Sequence, residues 1–422
     1  MSQPEAGAKP AVATTTAGLR GSVWNPSRLP SDARVSVHTL RTHDGANITG
    51  YLFQRGGEKS VCCWMHPREI GVSNYLVPDV LAAGCAAWVQ GARSVGNDIR
   101  LEHEQALLDL ATGQRFLREQ GFEARVLLGI SGGAALAAFY AQQSTAAPDA
   151  RIARSPGGRP TGLAEADLPP ADGFILVSPH VGQGRLLQNS IDPAVTDEND
   201  PLQSDDAISA FNPANGWKRP PESSTYQPDF VARYRAAQRA RVARIDAFAL
   251  QKVAAKQAAR KRLKEKPSRN DAILAAYSPI FQVWRTDADL RCFDLALEAS
   301  DRAYGTLWGA NPTASNYGSV GFARVCTPES WLSNWSANHS NAATEKCAPS
   351  MHKPSLLIQY TGDNSVFPQE ADAIFASIGT ADKTRYKISG NHHGQPVRPG
   401  EPLGQLEAGQ RIAEWLKSKG FA

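Results

Sequence analysis

Residues 126–135 read Val-Leu-Leu-Gly-Ile-Ser-Gly-Gly-Ala-Ala, an apolar run that ends in Gly-x-Ser-x-Gly and passes at once into an alanine-rich segment. The apolar run predicts a buried strand, and the alanines predict a helix. Glycines on both sides of a serine allow the tight, strained turn that joins such a strand to such a helix and lifts the hydroxyl clear of the sheet. Ser131 is therefore a candidate nucleophile.

Predicted strands and helices alternate along the chain on both sides of this turn. Residues 34–41 and 48–54 have the alternating pattern of half-buried strands, and a His-Asp-Gly-Ala turn joins them. Further strands are predicted at 61–65, 85–89, 174–178, 356–360 and 385–389, and helices at 73–83, 100–120, 133–143, 369–377 and 403–418. Short strands that are apolar on both faces and alternate with helices predict an α/β fold with a mostly parallel, doubly wound sheet.

Two segments late in the chain carry the groups that a serine nucleophile needs. An unassisted serine hydroxyl is a poor nucleophile at neutral pH, so it requires a base and a carboxylate that orients the base. Asp363 directly follows the strand at 356–360, and His392 follows the last predicted strand. Both would lie at the carboxyl ends of parallel strands, where open α/β sheets bind ligands. His393 is adjacent, and the sequence leaves open whether it takes the place of His392 as the base.

With these residues in place, the chain resembles the α/β-hydrolase superfamily. The resemblance rests on Gly-Ile-Ser-Gly-Gly at 129–133, Asp-x-x-Val-x-Pro at 363–368 and Gly-Asn-His at 390–392, and it covers roughly 34–182 and 352–420. It implies a serine esterase or lipase-like enzyme in which Ser131 is the nucleophile, Asp363 the orienting acid and His392 the general base. No metal and no organic cofactor are implied.

The resemblance also implies an oxyanion hole made of two backbone N–H groups. Gly132, the residue after the nucleophile, is expected to supply one of them. The second is expected from the loop Met65-His66-Pro67-Arg68-Glu69. Many relatives carry His-Gly where this chain has His66 and Pro67. Proline has no N–H to donate, so we assign the second donor to Arg68.

The sequence divides into four parts. Residues 1–20 are rich in Ala, Thr, Pro and Gly without a period, which predicts a disordered tail. Residues 21–181 are predicted to form the first part of a hydrolase core, and 351–422 the second. Between them, 182–350 are predicted to form a large, mainly helical cap inserted after the sixth core strand.

The predicted cap offers candidate contacts for a substrate. Trp331 and Trp335 lie in an aromatic, Gly-, Asn- and Ser-rich segment that suits a pocket wall, although the same side chains would also suit the core of the cap. His66 and His180, at predicted strand ends in the core, are expected either to line this pocket or to have structural roles. A long helix is predicted at 228–266, and its basic end either attracts an anionic partner or is a solvated face.

Composition excludes several classes of protein. The 422 residues are 42% hydrophobic and 20% charged, with a net charge of +4, as in a soluble globular protein. We therefore expect neither a nucleic acid nor a membrane as partner, and a homo-oligomer stays open. No signal peptide is recognisable, so we expect a cytoplasmic protein with reduced thiols. Cys326 and Cys347 would be candidates for a disulfide only if the protein were exported, and none of the six cysteines has zinc-site spacing.

The sequence favours a serine hydrolase that cleaves a carboxylic ester of a bulky apolar or aromatic substrate through an acyl-enzyme. The same residues would also serve a thioester, an amide, a lactone or a carbon–carbon bond, and sequence does not separate these. A third hypothesis is a non-catalytic hydrolase-fold binding protein that docks partners through its basic helix.

Overall fold

The computed structural model of the protein describes residues 25–72, 74–96 and 98–422. The strands are β1 (Arg34–Arg41), β2 (Asn47–Gln54), β3 (Ser60–Met65), β4 (Ala86–Gln90), β5 (Ala124–Ile130), β6 (Gly173–Val177), β7 (Phe281–Gln282), β8 (Val325–Cys326), β9 (Ser355–Tyr360) and β10 (Lys383–Ile388). The helices are α1 (Val77–Ala83), α2 (His103–Glu119), α3 (Gly132–Thr145), α4 (Gln183–Ser190), α5 (Pro228–Glu265), α6 (Arg269–Ala276), α7 (Pro312–Tyr317), α8 (Pro328–Ser330), α9 (Thr344–Cys347), α10 (Pro368–Ser377) and α11 (Gly404–Ser418). The predicted alternation of strands and helices is confirmed, with boundaries shifted by a few residues.

Eight of these strands form one sheet in the order β1-β2-β4-β3-β5-β6-β9-β10. β1 pairs antiparallel with β2, and β2 pairs antiparallel with β4. All the other pairs in this sheet are parallel. The predicted mostly parallel sheet is therefore confirmed, and the two strands joined by the predicted turn form its antiparallel start.

Helices cover both faces of the sheet because its central strands are apolar on both sides. β3, β4, β6 and β9 are buried along their whole length. One face packs against α2 and α3, in a core that includes Leu107, Leu110 and Phe139. The other face packs against α1 and α11, with Leu81 and Ile412 in the core. The sheet is doubly wound, as predicted.

The segment between β6 and β9 lies outside the large sheet. Its longest helix is α5, which matches the helix predicted at 228–266. The other helices of the segment have eight residues or fewer. The segment has hydrophobic clusters of its own, one of them around Val242, Ile245 and Trp331. Within the segment, the buried guanidinium of Arg241 on α5 pairs with Glu198 and donates to two backbone carbonyls, which holds α5 to the neighbouring loops.

The remaining expectations about the chain as a whole have different outcomes. The tail predicted to be disordered, residues 1–20, lies outside the described residues. Within the described part of the chain, no helix combines the length and the apolar character that crossing a bilayer requires. The six cysteines are buried free thiols, Cys326 and Cys347 among them. The predicted domain boundaries remain predictions.

Candidate active site

The turn between β5 and α3 holds Ser131 in a conformation that few non-glycine residues adopt, with φ 56° and ψ −121°. The glycines around it are required by close backbone packing. A Cβ on Gly129 would lie 2.5 Å from the backbone of Ala134, and a Cβ on Gly133 would lie 2.8 Å from the carbonyl oxygen of Met65. The strained strand-to-helix turn that the sequence predicts is therefore present, and a well-packed surrounding structure maintains it.

The structure brings together the serine, histidine and carboxylate that the sequence singles out. Ser131 Oγ lies 3.0 Å from His392 Nε2. His392 Nδ1 lies 2.9 and 2.8 Å from the two carboxylate oxygens of Asp363. The backbone N–H groups of Ser365 and Val366 donate to Asp363 Oδ1, which fixes the orientation of the carboxylate. Both His392 and Asp363 are almost fully buried.

His393, the neighbour that the sequence left as an alternative, has a different position. Its ring meets that of His392 edge-on, with centroids 4.9 Å apart. Its backbone N–H and C=O bond to Asn391 and Gln405. The Nε2 atom that reaches Ser131 belongs to His392, so the geometry favours His392 as the partner of the serine.

A second histidine also contacts the serine. His180, in the loop after β6, places Nε2 3.0 Å from Ser131 Oγ and 3.2 Å from Ser365 Oγ. Its ring stacks on that of His392 at 5.2 Å. Burial, followed by repulsion from His392, lowers the pKa of His180 well below its usual range. The sequence placed His180 at the pocket but gave no sign that its ring would reach the serine.

The loop after β3 is organised around the His66 ring. The backbone N–H groups of Arg68 and Glu69 both donate to His66 Nδ1, at 3.1 and 3.2 Å. Burial lowers the pKa of His66 to about 4, so the ring is neutral near pH 7 with its proton on Nε2. That Nε2 lies 2.9 Å from the position that a Cβ on Gly132 would take. Because the Arg68 N–H is bonded to the ring, Arg68 would have to release His66 before it could bind an oxyanion.

A cavity of about 410 Å³ opens onto Ser131. Its polar floor is formed by Ser131, His392, His180 and His66, together with Gln183 at the start of α4. The segment between β6 and β9 supplies part of its wall, and these side chains are largely apolar: Leu186, Leu307, Trp308 and Phe322. This shape and lining are typical of a small-molecule site.

The prediction that Trp331 and Trp335 line this cavity is wrong. Both indoles are fully buried in the core of the inserted segment and are absent from the cavity wall. Trp331 Nε1 donates to Asp246 at 2.7 Å, which anchors the ring to α5. Trp335 packs against Phe322, and Phe322 is the aromatic side chain that reaches the cavity. The sequence gave no basis for choosing among these aromatics, because the segment has no regular period.

The basic end of α5 lies apart from the serine. Lys256, Arg260, Lys261 and Lys264 line a separate cleft of about 530 Å³ that shares no lining residue with the cavity at Ser131. Lys256 is paired with Glu329 at 2.7 Å. Among the described residues, no group of three or more His, Cys, Asp or Glu side chains is arranged to hold a metal ion.

This chain is similar to known proteins in its structure and not in its sequence. No family model and no curated protein matches the sequence. Among solved structures, DcsB in complex with its substrate analogue superposes with a TM-score of 0.50 at 12% identity, over 91% of this chain and 99% of that one. The α/β hydrolase GrgF from Penicillium sp. sh18 gives 0.49 at 11% identity, over 91% and 98%. The Pyrococcus furiosus esterase Pf2001 gives 0.42 at 10% identity, over 94% and 96%.

The sheet order, the strained serine turn and the superposition on DcsB together define the fold. The chain has the fold of the α/β-hydrolase superfamily. At this identity the likeness extends to the fold alone, so the activity has to be argued from the site.

Proposed function

We propose that the protein is a serine hydrolase that cleaves a carboxylic ester of a bulky apolar or aromatic substrate through an acyl-enzyme. One observation carries the proposal. Ser131 Oγ lies within hydrogen-bonding distance of His392 Nε2, His392 Nδ1 faces the buried carboxylate of Asp363, and the serine opens onto a cavity with an apolar wall on one side.

In the proposed reaction, Ser131 Oγ attacks the ester carbonyl while its proton passes to His392 Nε2. Asp363 holds the proton on Nδ1 of the imidazole and stabilises the imidazolium that forms. His392 then returns a proton to the departing alcohol. A water molecule, activated by the same histidine, attacks the acyl-enzyme and releases the acid.

The negative charge on the carbonyl oxygen needs two donors. The Gly132 N–H at the start of α3 makes no hydrogen bond with another described residue, so it is placed to be one of them. Arg68 remains the proposed source of the second. His66 Nε2–H is the alternative, since its tautomer is fixed and it lies beside Gly132 on the cavity floor.

The cavity supports a bulky apolar acyl or alcohol group. Leu186, Leu307 and Phe322 face the space beside Ser131. The charged side chains that also line the cavity are Arg68 and Glu69. We infer that the segment between β6 and β9 acts as a cap over the substrate. The chemistry proposed here proceeds with the protein's own side chains and a small-molecule partner, without nucleic acid or membrane. The six free thiols are compatible with the reducing cytoplasm.

The test of an activated serine is labelling with a fluorophosphonate probe, followed by mass spectrometry of the modified peptide. We expect labelling at Ser131 that disappears in Ser131→Ala and persists in Ser144→Ala, a matched serine on α3. Failure to label folded wild-type protein would count against the proposal and favour the binding-protein alternative. Salt-dependent binding of an acidic partner through α5 would then be measured.

The bond type requires matched substrates. An oxygen ester, a thioester, an amide, a lactone and a diketone with the same bulky aromatic group would be compared by kcat/KM. We expect the oxygen ester to be preferred. A strong preference for one of the other substrates would mean that the same residues catalyse cleavage of that bond instead.

A further inference from the structure

His180 contacts Ser131 through its side chain, and hydrogen bonds hold its backbone at both the N–H and the C=O. The His180 N–H donates to the Ser131 carbonyl oxygen at 3.2 Å, and the His180 carbonyl oxygen accepts from Thr344 Oγ1 at 2.5 Å. The stacking on His392 holds the plane of the ring. The ring is therefore held against Ser131 before any substrate binds.

Hydrogen-bond partners determine which nitrogen of His180 carries the proton. Nε2 faces two hydroxyl oxygens, Ser131 Oγ and Ser365 Oγ, whereas Nδ1 is buried without a partner among the described residues. A proton on Nδ1 would leave a buried N–H without an acceptor, which is more costly than a buried lone pair. The neutral ring therefore carries its proton on Nε2.

The direction of the hydrogen bond to the serine follows from the neighbouring histidine. Asp363 requires the proton of neutral His392 to be on Nδ1, so His392 Nε2 accepts the Ser131 hydroxyl proton. Ser131 Oγ then has lone pairs left, and His180 Nε2–H points at one of them. The serine oxygen donates to one histidine and accepts from the other.

We propose that His180 is a further catalytic residue, which donates a hydrogen bond from Nε2 to Ser131 Oγ and stabilises negative charge on that oxygen. This inference rests on the proposed function. In acylation, the hydroxyl proton moves to His392 while an Oγ electron pair forms the new bond to carbon. In deacylation, the C–Oγ bond breaks, its electron pair returns to Oγ, and His392 supplies the proton. His180 keeps its own proton in both steps.

Ser365 has a positioning role in this arrangement. Its hydroxyl oxygen is the second acceptor for His180 Nε2, while its backbone N–H donates to the carboxylate of Asp363. The loop after β9 thus orients both histidines that contact Ser131. Its two hydrogen bonds couple the position of the donor ring to the position of the acid.

The first test compares His180→Ala with His180→Gln in pre-steady-state kinetics on a chromogenic ester. The amide Nε2 of Gln occupies nearly the same place as His Nε2 and restores an N–H donor. We expect His180→Ala to slow acylation by about tenfold or more, the order that one hydrogen bond to a charged group contributes, and His180→Gln to recover most of that rate. A folded His180→Ala variant that acylates within about twofold of wild type, or a Gln variant as slow as the Ala variant, would overturn the proposal.

The second test reads the tautomer directly in the wild-type protein and does not depend on a variant folding. Nitrogen-15 NMR, with the imidazole signals assigned through bonds, should show neutral His180 protonated at Nε2. A proton on Nδ1 would overturn the proposal. Fluorophosphonate labelling distinguishes a failure of the proposed function from a failure of the proposed role of His180. An unlabelled Ser131 contradicts the proposed function. A labelled Ser131, together with an unaffected acylation rate in His180→Ala or a proton on Nδ1, contradicts only the role of His180.

Discussion

Replacement of Asp363 by asparagine tests the proposed mechanism most sharply, because the surrounding bonds fix how the new side chain must sit. Asp363 Oδ1 accepts the N–H groups of Ser365 and Val366, at 2.7 and 2.9 Å. The asparagine carbonyl oxygen must take that place, since the alternative sets an NH₂ against two N–H donors. Its NH₂ then occupies the Oδ2 position, 2.8 Å from His392 Nδ1.

An NH₂ group at that position reverses the tautomer of His392. Nδ1 then faces the amide oxygen at 2.9 Å and the NH₂ at 2.8 Å, and a proton on Nδ1 would set N–H against N–H at the shorter distance. The imidazole proton is therefore expected to move to Nε2, where it faces Ser131 Oγ. The nucleophile then has no base. The same substitution in serine proteases lowers kcat by about 10⁴, or about 5.4 kcal/mol of transition-state stabilisation, and we expect a loss of that order.

The assay is kcat/KM on a bulky aromatic ester, with thermal unfolding measured in parallel to show that the variant is folded. Asp372→Asn is the matched control, because that carboxylate lies on the exposed side of α10, and it should have near wild-type activity. A folded Asp363→Asn variant that keeps activity within about tenfold of wild type would refute the reasoning and place the orienting acid elsewhere.

Three further predictions concern stability and are checked by chemical or thermal unfolding. Gly129→Ala should destabilise the fold by about 3 kcal/mol, because its Cβ would lie 2.5 Å from the backbone of the following helix, and wild-type stability would contradict this packing. Arg241→Leu should cost about 3 kcal/mol, because it removes a buried ion pair and leaves two carbonyl oxygens without a donor, although Glu198 keeps its pair with Arg244; equal stability of Arg241→Leu and wild type would refute this role of Arg241. Burial lowers the pKa values of His66 and His103 to about 4, so the unfolded chain binds protons more readily than the folded one. The free energy of unfolding should therefore decrease as the pH is lowered from about 6.5 to 4, and each histidine should account for about 2 kcal/mol of the loss between pH 7 and pH 5. Replacing His103 by Gln should flatten that fall, and an unchanged pH dependence would be evidence against it.

Much of the site could be predicted because it depends on backbone geometry and strand order, which leave patterns in the sequence. The glycines around Ser131 have no substitute where backbones approach this closely, so the motif itself indicates the turn. Asp363 and His392 follow parallel strands, and such strand ends share one edge of the sheet. Their meeting with Ser131 is therefore a consequence of topology, which the alternation of apolar runs and helices already predicts.

Other features of the site depend on how distant segments pack. Two aromatic residues of one irregular segment, Trp335 and Phe322, belong to the same hydrophobic cluster, yet only Phe322 also reaches the cavity. Their surroundings come from helices and loops that are distant in the chain. The segment has no regular hydrophobic period from which the side chains that face the cavity could be predicted. The bond between the Arg68 N–H and the His66 ring likewise depends on the path of a short loop.

The sequence by itself determined the class of fold, the strained serine turn, and which carboxylate and which histidine come together with Ser131. Only the tertiary structure decided that His180 meets Ser131 and that the cavity is walled by Leu186, Leu307 and Phe322. The physical reason is the range of the interactions. Backbone strain and strand periodicity act over a few residues and leave a pattern in the chain, whereas contacts between loops from different strands are set by packing and leave none.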